Sequence, residues 1–220
     1  MKMFLDSAKT DEILHALEVW DIDGLTTNPR HVQAAGKPFR KTLEEIARLF
    51  EGKNKPVSVE VNPHLTEAPA MVKEGMELSA MSPCFVVKIG ISEQGCLAIR
   101  ELTKQGIRVN ATLIHTAAQA WLAARAGAAY VSPFLGWKEA HGESAANLIP
   151  EVASLLSTHG YSAQIIAAAI RNACQLADAA LAGAHCATAA FSLLQEAHQN
   201  PFTAYGEKIF QNAWDATPPS

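Results

Sequence analysis

The chain has 220 residues, 49% of them apolar and 18% charged, with a formal net charge of -4. That is a globular composition, and an acidic balance without a Lys/Arg-rich tract argues against nucleic acid or an anionic membrane surface as a partner. No apolar run is long enough to span a bilayer, and "MKMFLDSAKTDEIL" lacks the long apolar centre of a secretory signal.

The first apolar run, "KMFLD" (2–6), reads as a strand ending in Asp6. "TDEILHALEVW" (10–20) predicts a helix with Thr10 as its cap and an acidic first turn. "GLTTN" (24–28) is a second strand, running through Thr27 to Asn28 and on to Pro29, Arg30 and His31. A helix over "KTLEEIARLF" (41–50) precedes "VSVEV" (57–61), which carries Glu60. "CFVVK" (84–88) ends in Lys88 and is bracketed by Pro83 and Gly90. A helix over "SEQGCLAIRELTKQG" (92–106) leads to "VNATLI" (109–114), with Thr112 near its end. A helix over "TAAQAWLAARAG" (116–127) leads to "YVSPF" (130–134), ending in the Ser132/Phe134 pair. "QIIAAAI" (164–170) runs to Arg171, "IRNACQLADAALAG" (170–183) is a helix closed by a C-cap glycine, and "HCATAA" (185–190) is the eighth strand.

Eight strands alternating with helices predict a single α/β domain over 1–220, a (β/α)8 barrel of the TIM type with few insertions. A doubly wound open sheet is the rival, but the first strand runs into "DSAKTDE", with no glycine-rich phosphate turn. After the eighth strand, "NPFTAYGEKIFQNAW" (200–214) spaces Phe202, Tyr205, Ile209, Phe210 and Trp214 along one face of an extra helix. Such a stripe needs cover, either from its own barrel or from a neighbouring subunit. The four cysteines are irregularly spaced and read as reduced packing residues of a cytoplasmic protein.

In a barrel, reactive groups gather where the strands end. Lys88 closes a buried strand, and a buried ammonium must be paired or give up its proton. A free amine there can attack a ketone and form a Schiff base, an electron sink for breaking or making a neighbouring carbon–carbon bond. Asp6 and Glu60 are the carboxylates available for acid/base work. The bland reading is an ion pair of Lys88 with Asp6 or Glu60 that plugs the barrel. His64 and His115 read as loop or cap residues, and His141 and Glu143 as a solvated loop. Glu60 and His64 do not match a tight metal spacing, so neither metal nor cofactor is expected.

"FLD", "GLTTNP" (24–29), "VVKI" (86–89), "AGAAYVSPF" (126–134) and "AAAIRN" (167–172) fall in one order along the chain. In that order and combination the sequence resembles the transaldolases, and in size their small group that includes bacterial fructose-6-phosphate aldolase. The resemblance implies a metal-free class I aldol enzyme acting on small sugars, with Lys88 as its Schiff-base lysine. It implies Asp6 as the acid/base for the C4 hydroxyl, and Glu60 with Thr112 as the pair that positions the catalytic water. It implies that Asn28, beside Thr27, holds donor hydroxyls and that Ser132 contacts the donor. It further implies ring-type homo-oligomers, pentamers or decamers, built through the C-terminal helix. Phe134 and Glu60 are of the transferase type, where the aldolase branch has tyrosine and glutamine, so transfer of a dihydroxyacetone unit is favoured over simple cleavage. A lyase of the fructose-6-phosphate aldolase type, another Schiff-base reaction such as decarboxylation or dehydration, and a catalytically silent sugar-binding barrel remain as alternatives.

The pattern departs at the far end of the substrate. Trp137 stands where the family places a phosphate-binding arginine, and Ala169 where it has a serine, while Arg171 remains. Arg30 replaces the usual serine after "TTNP". Two readings stay open. The tail site is remodelled for another anion such as a sulfonate, or Arg30 or Lys138 replaces the lost arginine and phosphate still binds.

Overall fold

A computed structural model describes residues 1–218. The eight strands are β1 (Lys2–Asp6), β2 (Gly24–Thr26), β3 (Val57–Glu60), β4 (Phe85–Gly90), β5 (Val109–Ile114), β6 (Tyr130–Pro133), β7 (Gln164–Ala167) and β8 (Cys186–Ala189). They close into one parallel barrel in sequence order, with β8 hydrogen-bonded back to β1. The helices are α1 (Thr10–Val19), α2 (Pro29–Ala34), α3 (Phe39–Leu49), α4 (Ala68–Met81), α5 (Glu93–Lys104), α6 (Ala117–Arg125), α7 (Leu135–Ala140), α8 (Leu148–Thr158), α9 (Ala173–Leu181), α10 (Phe191–Ala197) and α11 (Pro201–Asp215). None is long and apolar enough to cross a membrane, among the described residues.

Strands covered by helices outside and side chains inside read as unbroken apolar runs, which is why they were legible. The barrel interior is built in steps of two residues. Its lower end is an apolar cluster of Phe4, Val86, Tyr130, Ile166 and Cys186. The Phe4 ring occupies the space that a side chain at Gly24 would need, 2.7 Å from where a Cβ would stand. Two residues further along the strands come Thr26, Asn110, Ser132 and Thr188, which are buried. There Ser132 donates to Asn110 Oδ1 at 2.7 Å, and Asn110 donates to Ser58 Oγ at 3.0 Å. The same stride carries Phe4 to Asp6, Ser58 to Glu60, Val86 to Lys88 and Asn110 to Thr112. An apolar plug, a hydrogen-bonded polar layer and a reactive rim therefore follow one another toward the strand ends.

Several boundaries differ from the sequence-based expectation. Thr10 does not cap α1: the residue before the helix is Lys9, without a side-chain cap, and the Thr10 hydroxyl donates to Glu45 instead. β2 stops at Thr26 because Asn28 turns outward to cap α2, its Oδ1 accepting from Arg30 N and His31 N. β7 stops at Ala167, and Ala169 lies in the left-handed region at φ +55°. The expected glycine stop after α9 is Gly183 at φ +94°. α11 buries no residue, and Phe202, Phe210 and Trp214 are 84%, 74% and 80% exposed, so in this structure its stripe is left uncovered by the barrel.

Candidate active site

A cavity of about 460 Å³ opens at the strand ends. Ten expected site residues line it: Asp6, Asn28, Arg30, Glu60, Lys88, Thr112, Ser132, Phe134, Trp137 and Arg171. Thr27 does not. Its hydroxyl donates to the Ser58 carbonyl at 2.9 Å, and only its own carbonyl serves the site. Thr26, His31, Leu113 and Thr188 also line the cavity, and sequence reasoning gave them no role there.

Register explains the floor of the site. Glu60 and Lys88 are partners across β3 and β4, so their side chains emerge side by side. Lys88 Nζ lies 3.0 Å from Glu60 Oε2 and 3.0 Å from the Thr27 carbonyl. Lys88 is 5% exposed, and its nitrogen keeps one further position toward the cavity. The expected ion pair is thus real, but with Glu60. It sits in an open cavity rather than plugging the barrel. Thr112 is fully buried, and its hydroxyl is a buried polar atom with no partner among the described residues. An orphan hydroxyl at a cavity wall suits a water or substrate oxygen that the site is built to hold.

Asp6 has both oxygens engaged. Its register partner Thr26 donates to Oδ1 at 2.8 Å, and the Thr26 hydroxyl also meets Thr188 Oγ1 at 2.6 Å. His31 Nε2 lies 3.1 Å from Oδ2. Burial pushes the Asp6 carboxyl up. The His31 contact, followed by the charge of Lys88 and the Thr26 hydrogen bond, outweighs it and holds the group below its ordinary value. Asn28 spends its carbonyl oxygen on the cap of α2, which leaves its amide N–H groups for a ligand.

The far end is aromatic and cationic. Trp137 stacks on His115 at 6.1 Å between ring centres and meets Phe134 edge-on at 5.3 Å. His115 is the loop residue expected, between β5 and the cap of α6, and from there it forms the wall behind Phe134 and Trp137. Burial, then the nearby Lys138 charge, lowers its pKa. Arg171 runs past Gly136, where even a Cβ would stand 2.4 Å from its Cγ. Among the described residues neither Arg30 nor Arg171 is in an ion pair. Lys138 does not line the cavity and is paired with Glu143 at 2.7 Å. His141 bonds the Trp137 carbonyl at 2.7 Å outside the cavity, and His64 lies exposed in the loop after β3. Cys84 and Cys186 are packing residues as expected, but Cys174 is exposed.

The family described as "Transaldolase/Fructose-6-phosphate aldolase" matches residues 3–217. The chain is 48% identical over 218 residues to the "6-deoxy-6-sulfo-D-fructose transaldolase" of Priestia megaterium, covering 99% of this chain and 96% of that one. It is equally similar to the protein of the same name from Priestia aryabhattai. It is 40% identical over 218 residues to a "Probable transaldolase" of Dictyoglomus turgidum, covering 99% of this chain and all of that one. With near full-length matches on both sides, this chain, a closed parallel (β/α)8 barrel, belongs to the transaldolase/fructose-6-phosphate aldolase family of enzymes.

Proposed function

We propose that this enzyme transfers a dihydroxyacetone unit from 6-deoxy-6-sulfofructose to an aldehyde acceptor through a Schiff base on Lys88. The observation that carries the chemistry is a buried lysine held by Glu60 and the Thr27 carbonyl on the floor of a substrate-sized cavity. Glu60 is placed to take the ammonium proton, and the freed amine adds to the C2 carbonyl of the ketose. Loss of water, handled by Glu60 and the Thr112 hydroxyl, leaves the iminium. Asp6 then takes the proton of the C4 hydroxyl. The C3–C4 bond breaks, its electron pair flows to the iminium nitrogen as an enamine, and the C4 fragment leaves as an aldehyde. The enamine carbon attacks the acceptor aldehyde, Asp6 returns its proton to the new hydroxyl, and hydrolysis frees Lys88. Asn28 donates to the dihydroxyacetone hydroxyls, beside Ser132. Phe134 brings no hydroxyl that would protonate the enamine, which favours transfer over release.

The tail assignment comes from the remodelled end. A sulfonate carries one charge where a phosphate carries nearly two, so Arg171 with Arg30 suffices. The indole of Trp137 lies where a second phosphate-clamping guanidinium is missing. The similarity to relatives named for this substrate supports the same choice. Borohydride trapping with 6-deoxy-6-sulfofructose and fructose 6-phosphate in parallel tests it. A three-carbon adduct on the Lys88 peptide, formed faster from the sulfonate, is the expected result. Preference for the phosphate refutes the tail assignment, and an adduct on no lysine refutes the chemistry. We further read the enzyme as cytoplasmic, with α11 of each subunit covered by a neighbour in a ring-type homo-oligomer. The exposed stripe of α11 supports that reading.

A further inference from the structure

His31 has no part in the reaction outlined above, yet its imidazole holds one of the two Asp6 oxygens. Its Nε2 lies 3.1 Å from Asp6 Oδ2, with the two side chains 27% and 22% exposed. The contact is built from the backbone up. Asn28 caps α2 by accepting from His31 N at 3.1 Å and Arg30 N at 2.9 Å, with Pro29 at the first helical position. That cap fixes the first turn of α2 over the mouth and sends the His31 ring to the end of β1. Asp6 Oδ1 is held from the other side by Thr26, itself joined to Thr188. The carboxylate is clamped at both oxygens, by a hydroxyl from inside the barrel and an imidazole from outside.

We propose that His31 is a positioning residue for Asp6, aiming the carboxylate at the C4 hydroxyl and supplying the donor that keeps it a base. The inference rests on the C3–C4 cleavage described above. In a transferase the proton taken from the first hydroxyl returns to the second, so Asp6 needs no exit to water. It needs to be ionised when the donor binds and to release its proton when the acceptor arrives. A buried carboxyl with no outer partner would hold its proton and fail at the first step. The titratable groups facing Asp6 are His31 from α2 and Lys88 from β4, which is bound to Glu60 from β3; Arg30 and Arg171 line the same cavity. Removing His31 leaves the burial of Asp6 in place and takes away the strongest opposing contact, so the carboxyl moves up.

The test compares His31→Ala and His31→Gln with the parent. kcat/KM for 6-deoxy-6-sulfofructose is measured from about pH 8 down to about pH 3, or to the lowest pH at which the protein stays folded, together with borohydride-trapped adducts on Lys88. In His31→Ala the acid limb is expected to move up by about one pH unit, a tenfold loss at any pH on that limb. KM should stay within about twofold and uncleaved six-carbon adduct should accumulate, because imine formation is spared and bond cleavage is not. His31→Gln keeps a hydrogen-bond donor of shorter reach and different geometry, and its limb should fall between. If His31→Ala does not fold, His31→Gln alone decides. Acid limbs and three-carbon adduct rates equal to the parent's in the folded variants overturn the role of His31 and leave the reaction standing. A parent that forms no three-carbon adduct overturns the reaction and this role together.

Discussion

Gly136→Ala probes whether Arg171 holds the anionic tail, because it moves that arginine without touching its charge. A Cβ on Gly136 would stand 2.4 Å from the Ala169 carbonyl oxygen, 2.4 Å from Arg171 Cγ and 3.1 Å from Arg171 Nε. Ordinary contact begins near 3.4 Å, so something must shift by about 1 Å. The carbonyl belongs to Ala169, already in a left-handed conformation at φ +55°, and gives way poorly. Arg171 yields more easily. A displacement of about 1 Å breaks a charge-assisted hydrogen bond worth about 1.5–3 kcal/mol, which is roughly 10- to 100-fold in kcat/KM for an anionic donor. Overpacking should also cost about 1–3 kcal/mol of stability, read as a melting temperature lower by several degrees. The assay follows the rate of the three-carbon adduct on Lys88 from 6-deoxy-6-sulfofructose and from fructose, which has no anionic tail. No acceptor is added, so a phosphorylated aldehyde cannot compete for the same arginine. The sulfonated donor should lose its advantage and fructose should change little. A variant that keeps the parent's ratio of the two donors, with the melting temperature lowered as expected, would show that Arg171 does not read the tail.

Thr112→Val should leave the melting temperature unchanged or slightly higher, because the buried hydroxyl it removes has no partner, while kcat falls about tenfold or more as imine formation and hydrolysis slow; a loss of stability with full activity would contradict the role given to that hydroxyl. Trp137→Arg should raise kcat/KM for fructose 6-phosphate relative to the sulfonated donor by about tenfold, measured by the same adduct rates. Replacing Phe202, Phe210 and Trp214 together by serine should reduce the mass in light scattering from an assembly to a monomer; a parent already monomeric would refute the covering of α11 by a neighbour. The folded Asp6 carboxyl lies below its unfolded value, so it contributes stability above about pH 4 that is lost as pH falls through the folded value. The stability gap between the parent and Asp6→Asn, from urea unfolding, should therefore close on acidification and not on going alkaline.

The barrel was legible because its strands are buried on both faces, which makes each an apolar run short enough to be told from a helix. What stayed hidden were α2, α4, α7, α8 and α10, whose boundaries depend on tertiary context. α4 opens with Pro at its start and no side-chain cap, and α2 exists because Asn28 turns from the strand to cap it. Thr10 misled for a related reason. A threonine before an acidic turn is the common capping pattern, but its hydroxyl found the Glu45 carboxylate of α3, a partner 35 residues away.

The site divides in the same way. Asp6, Glu60, Lys88 and Thr112 could be read because each is a polar interruption at the end of an apolar strand, and in a parallel barrel all such ends share one face. His31 offered no such signal. It lies on the helix after β2, where a polar residue is ordinary, and only the closure of the barrel brings that helix over β1. Thr27 failed in the opposite direction. It sits in the right motif, but beyond the end of β2 its side chain turns to the Ser58 carbonyl and only its backbone reaches Lys88. Sequence position thus located the groups that ride on strands, and the family resemblance located Asn28, Arg30, Trp137 and Arg171 beyond the strand ends. Only the contact of His31 with Asp6 needed the fold. In the proposed reaction the dihydroxyacetone end rests on strand-end residues joined by Asn28 from the cap of α2, and the tail end on the segments that follow the strands. On that reading a change of tail anion proceeds at Arg30 and Trp137 without disturbing the Lys88–Glu60 pair beneath.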